Sequence, residues 1–521
     1  MSASRRTGRE SGGNRESDGT RTSDEDLLTG PLPGDDAHDD EDDGRPRTGR
    51  DPDRDTGTGP TGRRPGNPLR PPPEDPALAA RFAEVVTAIR TRTPEQVVEP
   101  SLERIADLCR FLGDPQHSWR TVHVTGTNGK SSTTRMAEAL LREHGLRTGL
   151  FTSPDLGDLR DRIAVDGERV GRERFVETYA EILPYARTVD ERAVAAGQPP
   201  LSFFELLVAV AYAVFADAPV EVAAIEVGMG GGWDATNVAD GEVAVVTPVS
   251  LDHQEYLGGD LADIAAEKAG IVKAGSTLVT ARQPPVVEQV LLHRAREVGA
   301  GILREDVDFG VVSREQAVGG QLLTLHGPHG PVEEVFLPLH GEHQARNAAC
   351  ALVAAETLLT GGQGPLDPDT VRAAFATVTS PGRLETVRGR PTVLVDAAHN
   401  PAGAQALAAA VRESFTFTRL VGVVAVFGDK DAEQILAELE PVLDEVVLTR
   451  TFSPRCREPQ DLATTAGEVF GPERVHVAPD LVDALDTAIG RAEDGGLIGG
   501  GVLVTGSVSA AAQARRLLLR R

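Results

Sequence analysis

Cysteine is scarce in this chain of 521 residues, with only Cys109, Cys350 and Cys456. They stand alone, with no CxxC pair and no histidine at ligand spacing. That argues against a disulfide framework and a structural zinc site, and for reduced thiols packed as small hydrophobes. Aromatic residues are also sparse at 4%, so the core has to be built mainly from Ala, Val and Leu. No apolar run approaches the roughly 20 residues that span a bilayer. The basic N-terminus lacks the apolar h-region of a secretory signal, so the expected compartment is the cytoplasm. Positive charge is short too: 53 Lys and Arg face 79 Asp and Glu, a formal net charge of −26. A field of that sign repels nucleic acid and anionic membrane, so neither is expected as a partner. A metal or a local basic pocket can still hold an anionic small molecule. No Ser-His-Asp or Cys-His signature stands out either.

What is present divides the chain into three parts. Residues 1–76 are rich in Gly, Pro, Arg, Asp, Ser and Thr and nearly free of large apolar side chains, with an acidic run over 35–43. Such a segment buries too little surface to offset its ordering entropy and is expected to be a disordered tail. Helical patterns follow at Ala80–Ile89 and Leu102–Leu112. Short apolar strands are expected at Thr121–Thr125, Thr148–Pro154, Val222–Val227, Val243–Thr247 and Thr277–Thr280, separated by helical stretches such as Thr133–His144, Glu205–Phe215 and Leu261–Gly270. Strand–helix alternation with continuously apolar strands predicts a mainly parallel, doubly wound α/β sheet. Residues 305–335 read as hairpin-like. A break falls at Thr379–Leu384, and the alternation restarts with strands at Pro391–Val395, Leu420–Phe427, Glu445–Leu448 and Gly501–Thr505. The expected domains are therefore 77–378 and a smaller Rossmann-like α/β domain, 379–521.

The strongest local signal is Gly126-Thr-Asn-Gly-Lys130-Ser-Ser132, placed between a strand and a helix. A loop of small residues there lets backbone amides and a helix N-terminus converge on phosphate oxygens. Lys130 supplies a point charge and a serine hydroxyl a route to Mg²⁺. The first glycine of a full Walker A loop is absent, since Val124 stands there. Glu226 ends an apolar strand and precedes a glycine run, and Asp252 and His253 end another. Carboxylates at the carboxyl ends of parallel strands sit where ligands bind in such folds, and a lone carboxylate there suits Mg²⁺. Asp396 and His399 repeat the arrangement in the second domain. Lys268 reads by itself as a surface lysine at a helix end.

With these residues in line, the chain resembles the Mur ligase superfamily, and within it the folylpolyglutamate synthase/dihydrofolate synthase family, over roughly residues 78–521. The resemblance rests on nine motifs in the family's order: Leu102-Glu-Arg-Ile105, GTNGKSS, Thr152-Ser-Pro154, Ser202-Phe-Phe-Glu205, EVGMGGGWDATN, LDHQEYLG, EKAGI, SPGRLE and DAAHNP. It implies a P-loop-containing N-terminal domain, a smaller C-terminal domain and ATP between them. It implies an ATP- and Mg²⁺-dependent ligase that adds L-glutamate to a folate or dihydropteroate carboxylate through an acyl-phosphate. The implied ATP-binding residues are Gly126, Thr127, Asn128, Gly129, Lys130, Ser131 and Ser132, with Asn347, Arg383 and Asp396. Ser153, Glu226 and His253 match the family's metal ligands, and Lys268 matches a lysine that is carbamylated there. Potassium is a further candidate ion. Lys130, Glu226, His253, Lys268 and His399 are the candidate catalytic residues. Glu99, Pro100, Ser101, Phe204 and Asp234 are implied to meet the pterin end. The chain departs from the family at Asp155, where histidine is usual, and at Trp233, where arginine is usual. Both lie on the folate side.

Two other readings compete. A peptidoglycan-precursor ligase would share the ATP loop but carry a folded N-terminal domain for a UDP-sugar. A nucleotide-binding protein without ligase activity would have no need of the full set of site residues. A monomer is expected by analogy.

Overall fold

Alternation of short apolar strands with helices produces two mainly parallel sheets. A computed structural model describes residues 75–94, 100–494 and 498–519, all within one unit, 68–521. The expected tail, apart from Asp75 and Pro76, and Glu99 lie outside the described residues.

In chain order the first part comprises α1 (Pro76–Arg90), α2 (Glu103–Phe111), β1 (Arg120–Thr125), α3 (Lys130–Glu143), β2 (Thr148–Phe151), β3 (Ile163–Val165), β4 (Glu168–Arg169), α4 (Arg172–Ala195), α5 (Phe203–Asp217), β5 (Val222–Glu226), β6 (Val243–Val246), α6 (Gln254–Leu257), α7 (Leu261–Ala269), β7 (Thr277–Thr280), α8 (Pro285–Val298) and β8 (Gly301–Arg304). Its eight strands run in the order β4-β3-β2-β5-β1-β6-β7-β8. Pairing is parallel from β2 to β8, and β3 and β4 add an antiparallel edge. Strands buried on both faces explain the continuous apolar runs. Val243 and Val245 of β6 face one core, while Ala244 and Val246 face another.

The hairpin-like stretch forms an antiparallel three-stranded sheet, β9 (Gly310–Ala317), β10 (Gly320–Gly327) and β11 (Gly330–Leu337). Helices α9 (Glu342–Thr360) and α10 (Pro368–Ala376) follow and share a core with α3. After the Thr379–Leu384 segment come β12 (Glu385–Gly389), β13 (Thr392–Val395), α11 (Pro401–Ser414), β14 (Arg419–Val424), α12 (Ala432–Leu439), β15 (Glu445–Leu448), α13 (Pro459–Phe470), β16 (Val475–Val477), α14 (Leu481–Glu493), β17 (Gly500–Thr505) and α15 (Val508–Leu519). Their six strands run β12-β13-β17-β14-β15-β16, antiparallel only between β12 and β13.

The elements expected from the sequence form with shifted boundaries, and strands β3, β4, β8, β12 and β16 and helices such as α4 and α8 are additional to them. Helix α3 begins at Lys130 rather than Thr133, because Gly129 takes a left-handed turn (φ 93°) and the helix starts on the next residue. Strand β14 stops at Val424 rather than Phe427.

Candidate active site

The site assembles at the carboxyl ends of parallel strands from both sheets. The loop from β1 to α3 turns tightly at two glycines with φ of 144° and 93°, Gly126 and Gly129. A Cβ on Gly126 would lie 1.9 Å from Thr247 Oγ1, and one on Gly129 would lie 2.6 Å from Asn347 Oδ1. Only glycine meets both demands. The amides of Thr127 and Asn128 donate to the Pro248 carbonyl at 3.0 and 3.3 Å, and the Thr127 hydroxyl bonds Ser250. The loop is thus pinned to the segment after β6. The expectation of a freely converging set of loop amides narrows accordingly. The donors that helix geometry leaves open are those of the first turn of α3, Lys130 to Ser132.

Lys130 folds back over this loop. Its Nζ donates to the carbonyls of Gly126 and Thr127 at 3.1 and 3.2 Å. Lys268, at the end of α7, is buried rather than exposed and donates from Nζ to the same Gly126 carbonyl at 2.8 Å. Burial, reinforced by the Lys130 ammonium, pushes Lys268 down to about 7. Burial also lowers Lys130, against the pull of Glu226 and Asp252.

Glu226, the last residue of β5, is buried beside the loop. It accepts from Ser131 Oγ at 2.8 Å and from the Ser153 amide at 3.0 Å. Burial raises its carboxyl, while Lys130 and these donors hold it down. The second sheet reaches the same place through the segment before β12. Arg383 Nη2 donates to Ser131 Oγ at 3.4 Å, and the Ser132 and Ser380 hydroxyls are 3.0 Å apart. Asp396 lies at the end of β13, and its two oxygens accept from the Leu384 and Ala398 amides, both at 2.7 Å. It shapes the turn that presents Arg383.

A second hub forms around Asp252. Lys430, after β14, contacts it at 2.6 Å, and Asn400 Nδ2 donates to it at 2.9 Å. Asn400 also exchanges amide hydrogen bonds with Asn128 in the loop, both at 3.2 Å, and caps α11. His399 donates through Nδ1 to the Ala397 carbonyl at 2.9 Å, which leaves Nε2 facing Asp252 at 3.4 Å. Burial pushes the Asp252 carboxyl up, but the contacts with His399 and the Lys430 ammonium hold it well below the ordinary carboxylate range. Burial lowers His253 to about 4. Asp252, His253 and His399 bring ligand atoms within 4.8 Å of one another, as no other group of three among the described residues does. His253 therefore lies with these residues, while Glu226 lies with Ser131 and Ser153.

The residues expected on the folate side lie apart from the loop's own contacts. Asp234 accepts from the Thr236 and Met229 amides at 2.9 and 3.0 Å, and burial raises it to about 6. Phe204 packs over Gly228, where a Cβ would come within 2.5 Å of its ring, and its ring centroid is 5.9 Å from that of Phe151. Ser101 accepts from the Glu103 amide at 3.1 Å at the start of α2, with Pro100 exposed beside it. The departure at Asp155 is held by Arg162 and Arg90 at 3.1 and 3.2 Å. Sequence reasoning missed Lys430 and Asn400. Both follow strands whose carboxyl ends face the site, so the rule that found Asp396 covers them.

The Mur ligase middle domain matches residues 204–355, and the Mur ligase glutamate ligase domain matches 382–508. A dihydrofolate synthase/folylpolyglutamate synthase of Mycobacterium tuberculosis is 48% identical over 464 residues, covering 85% of this chain and 95% of that protein. The solved M. tuberculosis folylpolyglutamate synthase (FPGS) complexed with ADP and AMPPCP superposes with a TM-score of 0.81 at 47% identity, over 85% of this chain and 99% of that one. An FPGS–AMPPCP–folate complex gives a TM-score of 0.71 at 30% identity, over 84% and 99%. The chain belongs to the dihydrofolate synthase/folylpolyglutamate synthase family of Mur ligases.

Proposed function

We propose that this chain is an ATP-dependent ligase that joins L-glutamate to the carboxylate of a folate, and also of dihydropteroate, through an acyl-phosphate. One observation carries the reading: Ser131 of the phosphate-type loop touches both Glu226 of the first sheet and Arg383 of the second. Loop, carboxylate and guanidinium therefore meet where a γ-phosphoryl group at the α3 N-terminus would lie. On this reading the domains divide at 378/379, and the enzyme works as a cytoplasmic monomer.

In the first step a carboxylate oxygen of the acceptor attacks the γ-phosphorus, the new O–P bond forms, and ADP leaves with the electron pair. Lys130, Arg383 and the first turn of α3 offset the charge on the transferring group. In the second step the glutamate amine attacks the acyl carbon. The C–N bond forms, phosphate departs with the C–O electron pair, and the proton the amine gives up goes to the departing phosphate. His399, its Nε2 toward Asp252, is placed to orient this side of the cleft. Asn347 against Gly129 and Asp396 behind Arg383 shape the nucleotide site.

Magnesium suits the donor set, because Glu226 offers an oxygen ligand beside the Ser131 hydroxyl and the Ser153 backbone amide. His253 is neutral at neutral pH and so is free to ligate. Lys268, held near neutrality, has the free amine that carbamylation requires. On the family pattern Ser153, Glu226 and His253 would hold the ion, and carbamylated Lys268 would support a second. Bound there, the metal supplies positive charge that lets two anions approach.

The test is ADP release by the purified chain with ATP, Mg²⁺ and glutamate, with dihydropteroate or a reduced folate monoglutamate as acceptor. Turnover with both acceptors establishes the bifunctional reading, and turnover with one assigns the chain to that activity. Silence with both, while ATP binds, overturns the proposal.

A further inference from the structure

A cavity of about 270 Å³ opens beside the loop, lined by Ser131, Asp161 and four arginines, Arg135, Arg169, Arg383 and Arg515. The two arginines Arg169 and Arg515 are neutralised, by Asp161 at 2.7 Å and by Glu385 at 2.9 Å. The other two are not. Among the described residues Arg135, on the second turn of α3, hydrogen-bonds only the Thr152 hydroxyl at 3.4 Å, and Arg383 only the Ser131 hydroxyl at 3.4 Å. Neither has a carboxylate within ion-pair distance among the described residues. A guanidinium is a rigid fork that matches a carboxylate in two parallel hydrogen bonds. Enclosed without one, it carries a desolvation cost that an incoming anion would offset.

The place of the cavity decides which anion. Ser131 and Arg383 flank the end of the loop where the transferring phosphoryl group would lie, so a molecule in the cavity stands next to the acyl carbon formed there. The second step needs an amine at that point. Arg383 already faces the transferring phosphoryl group, so Arg135, without an ion-pair partner of its own, is the guanidinium left to hold a carboxylate of the incoming amine. We propose that this cavity receives the incoming α-amino dicarboxylic acid, and that Arg135 binds one of its carboxylates and so selects a dicarboxylic amino acid over its amide. The inference rests on the ligase reading above. The same carboxylate chemistry exists on the glutamyl end of a folate acceptor, and the choice of acceptor separates the two sources.

Dihydropteroate carries no glutamyl residue, so with it as acceptor any glutamyl effect belongs to the incoming amino acid. In Arg135→Gln full-length protein, the KM for glutamate should rise about 10-fold or more, as expected for loss of a charged hydrogen bond. The KM values for ATP and dihydropteroate should stay within about 2-fold, and preference for glutamate over glutamine should fall. The thermal midpoint should hold or rise, because an enclosed, unpaired charge has been removed; a merely structural arginine would lower it. Arg135→Lys, which keeps the charge but loses the fork, should fall between wild type and Arg135→Gln, and it carries the KM comparison alone if the glutamine variant does not fold. A glutamate KM unchanged in both variants, or a rise shared equally by ATP, overturns the assignment. So does a rise confined to the KM of a folate monoglutamate. Wild-type silence with both acceptors fails the ligase reading itself, whereas wild-type turnover with an unchanged variant KM fails this inference alone.

Discussion

The ammonium groups of Lys130 and Lys268 converge on one acceptor, the carbonyl oxygen of Gly126, at 3.1 and 2.8 Å. One lysine comes from the helix that follows the loop, the other from a helix more than a hundred residues later. Their mutual repulsion adds to burial in pushing Lys268 down to about 7, so the strand-end carbonyl holds together two cations that otherwise repel.

Lys268→Met should make stability less dependent on pH. The folded value of about 7 lies below the ordinary lysine value of 10.5. Between those limits the unfolded chain binds the extra proton, so stability of the wild type rises with pH across that window. Below about pH 7 the full cost of burying the charge is present. The methionine variant should therefore gain on the order of a few kcal/mol relative to wild type near pH 6 and progressively less toward pH 10. Denaturant unfolding of bicarbonate-free protein, in which the Lys268 amine is unmodified, at several pH values checks this. Activity should fall in parallel, by about 100-fold if Lys268 supports a metal, and ¹³C-bicarbonate should label wild type and not the variant.

Glu226→Gln should separate binding from chemistry. The amide keeps an acceptor for Ser131 or Ser153 but loses the charge. ADP release is expected to fall by about 10²–10³, while ATP affinity measured without acceptor changes far less. Equal losses in both would assign Glu226 to ground-state binding.

Gly126→Ala should be more damaging than a loop substitution usually is. The backbone has φ of 144°, and the new methyl would sit 1.9 Å from Thr247 Oγ1 and 2.9 Å from the Thr247 carbonyl oxygen. We expect about 1–3 kcal/mol of destabilisation together with loss of ATP binding, read by thermal unfolding with and without nucleotide.

Lys430→Met should strand the Asp252 carboxylate. Both side chains are buried and 2.6 Å apart. Leaving such a carboxylate without its cation costs about 3–5 kcal/mol, with Asn400 and His399 moderating the loss. The double variant Asp252→Asn/Lys430→Met should recover most of it, and a double-mutant cycle measures the coupling. The folded carboxyl lies below its ordinary value of 3.8, so the pair's contribution is present above that pH and fades as the carboxyl protonates. The single variant's deficit should shrink in acid accordingly.

Much of the fold could be read along the chain because each signal was local. The strands are continuously apolar, the glycine loop lies between a strand and a helix, and charged groups stop strands at Glu226 and Asp396. The loop–helix boundary was less legible. Lys130 to Ser132 are small or polar and look like loop, yet the left-handed turn at Gly129 starts the helix directly at Lys130. The two lysines show the limit most clearly. Nothing around Lys268 in the sequence distinguishes it from a surface residue, since burial depends on what other segments place over it. Asp252 was visible as a strand-end acid, but its partners Lys430 and Asn400 are more than a hundred residues away.

The sequence alone determined the architecture, the phosphate-type loop and the kinds of residue that end each strand, because hydrophobic periodicity, turn chemistry and glycine's conformational range act over a few residues. Only the tertiary structure decided which charges meet and which are left without partners. That includes the two lysines on Gly126, the Lys430–Asp252 pair, and the guanidinium groups of Arg135 and Arg383 facing one cavity. Solvation and Coulomb energy depend on distances in space, and the order of residues along the chain does not set them.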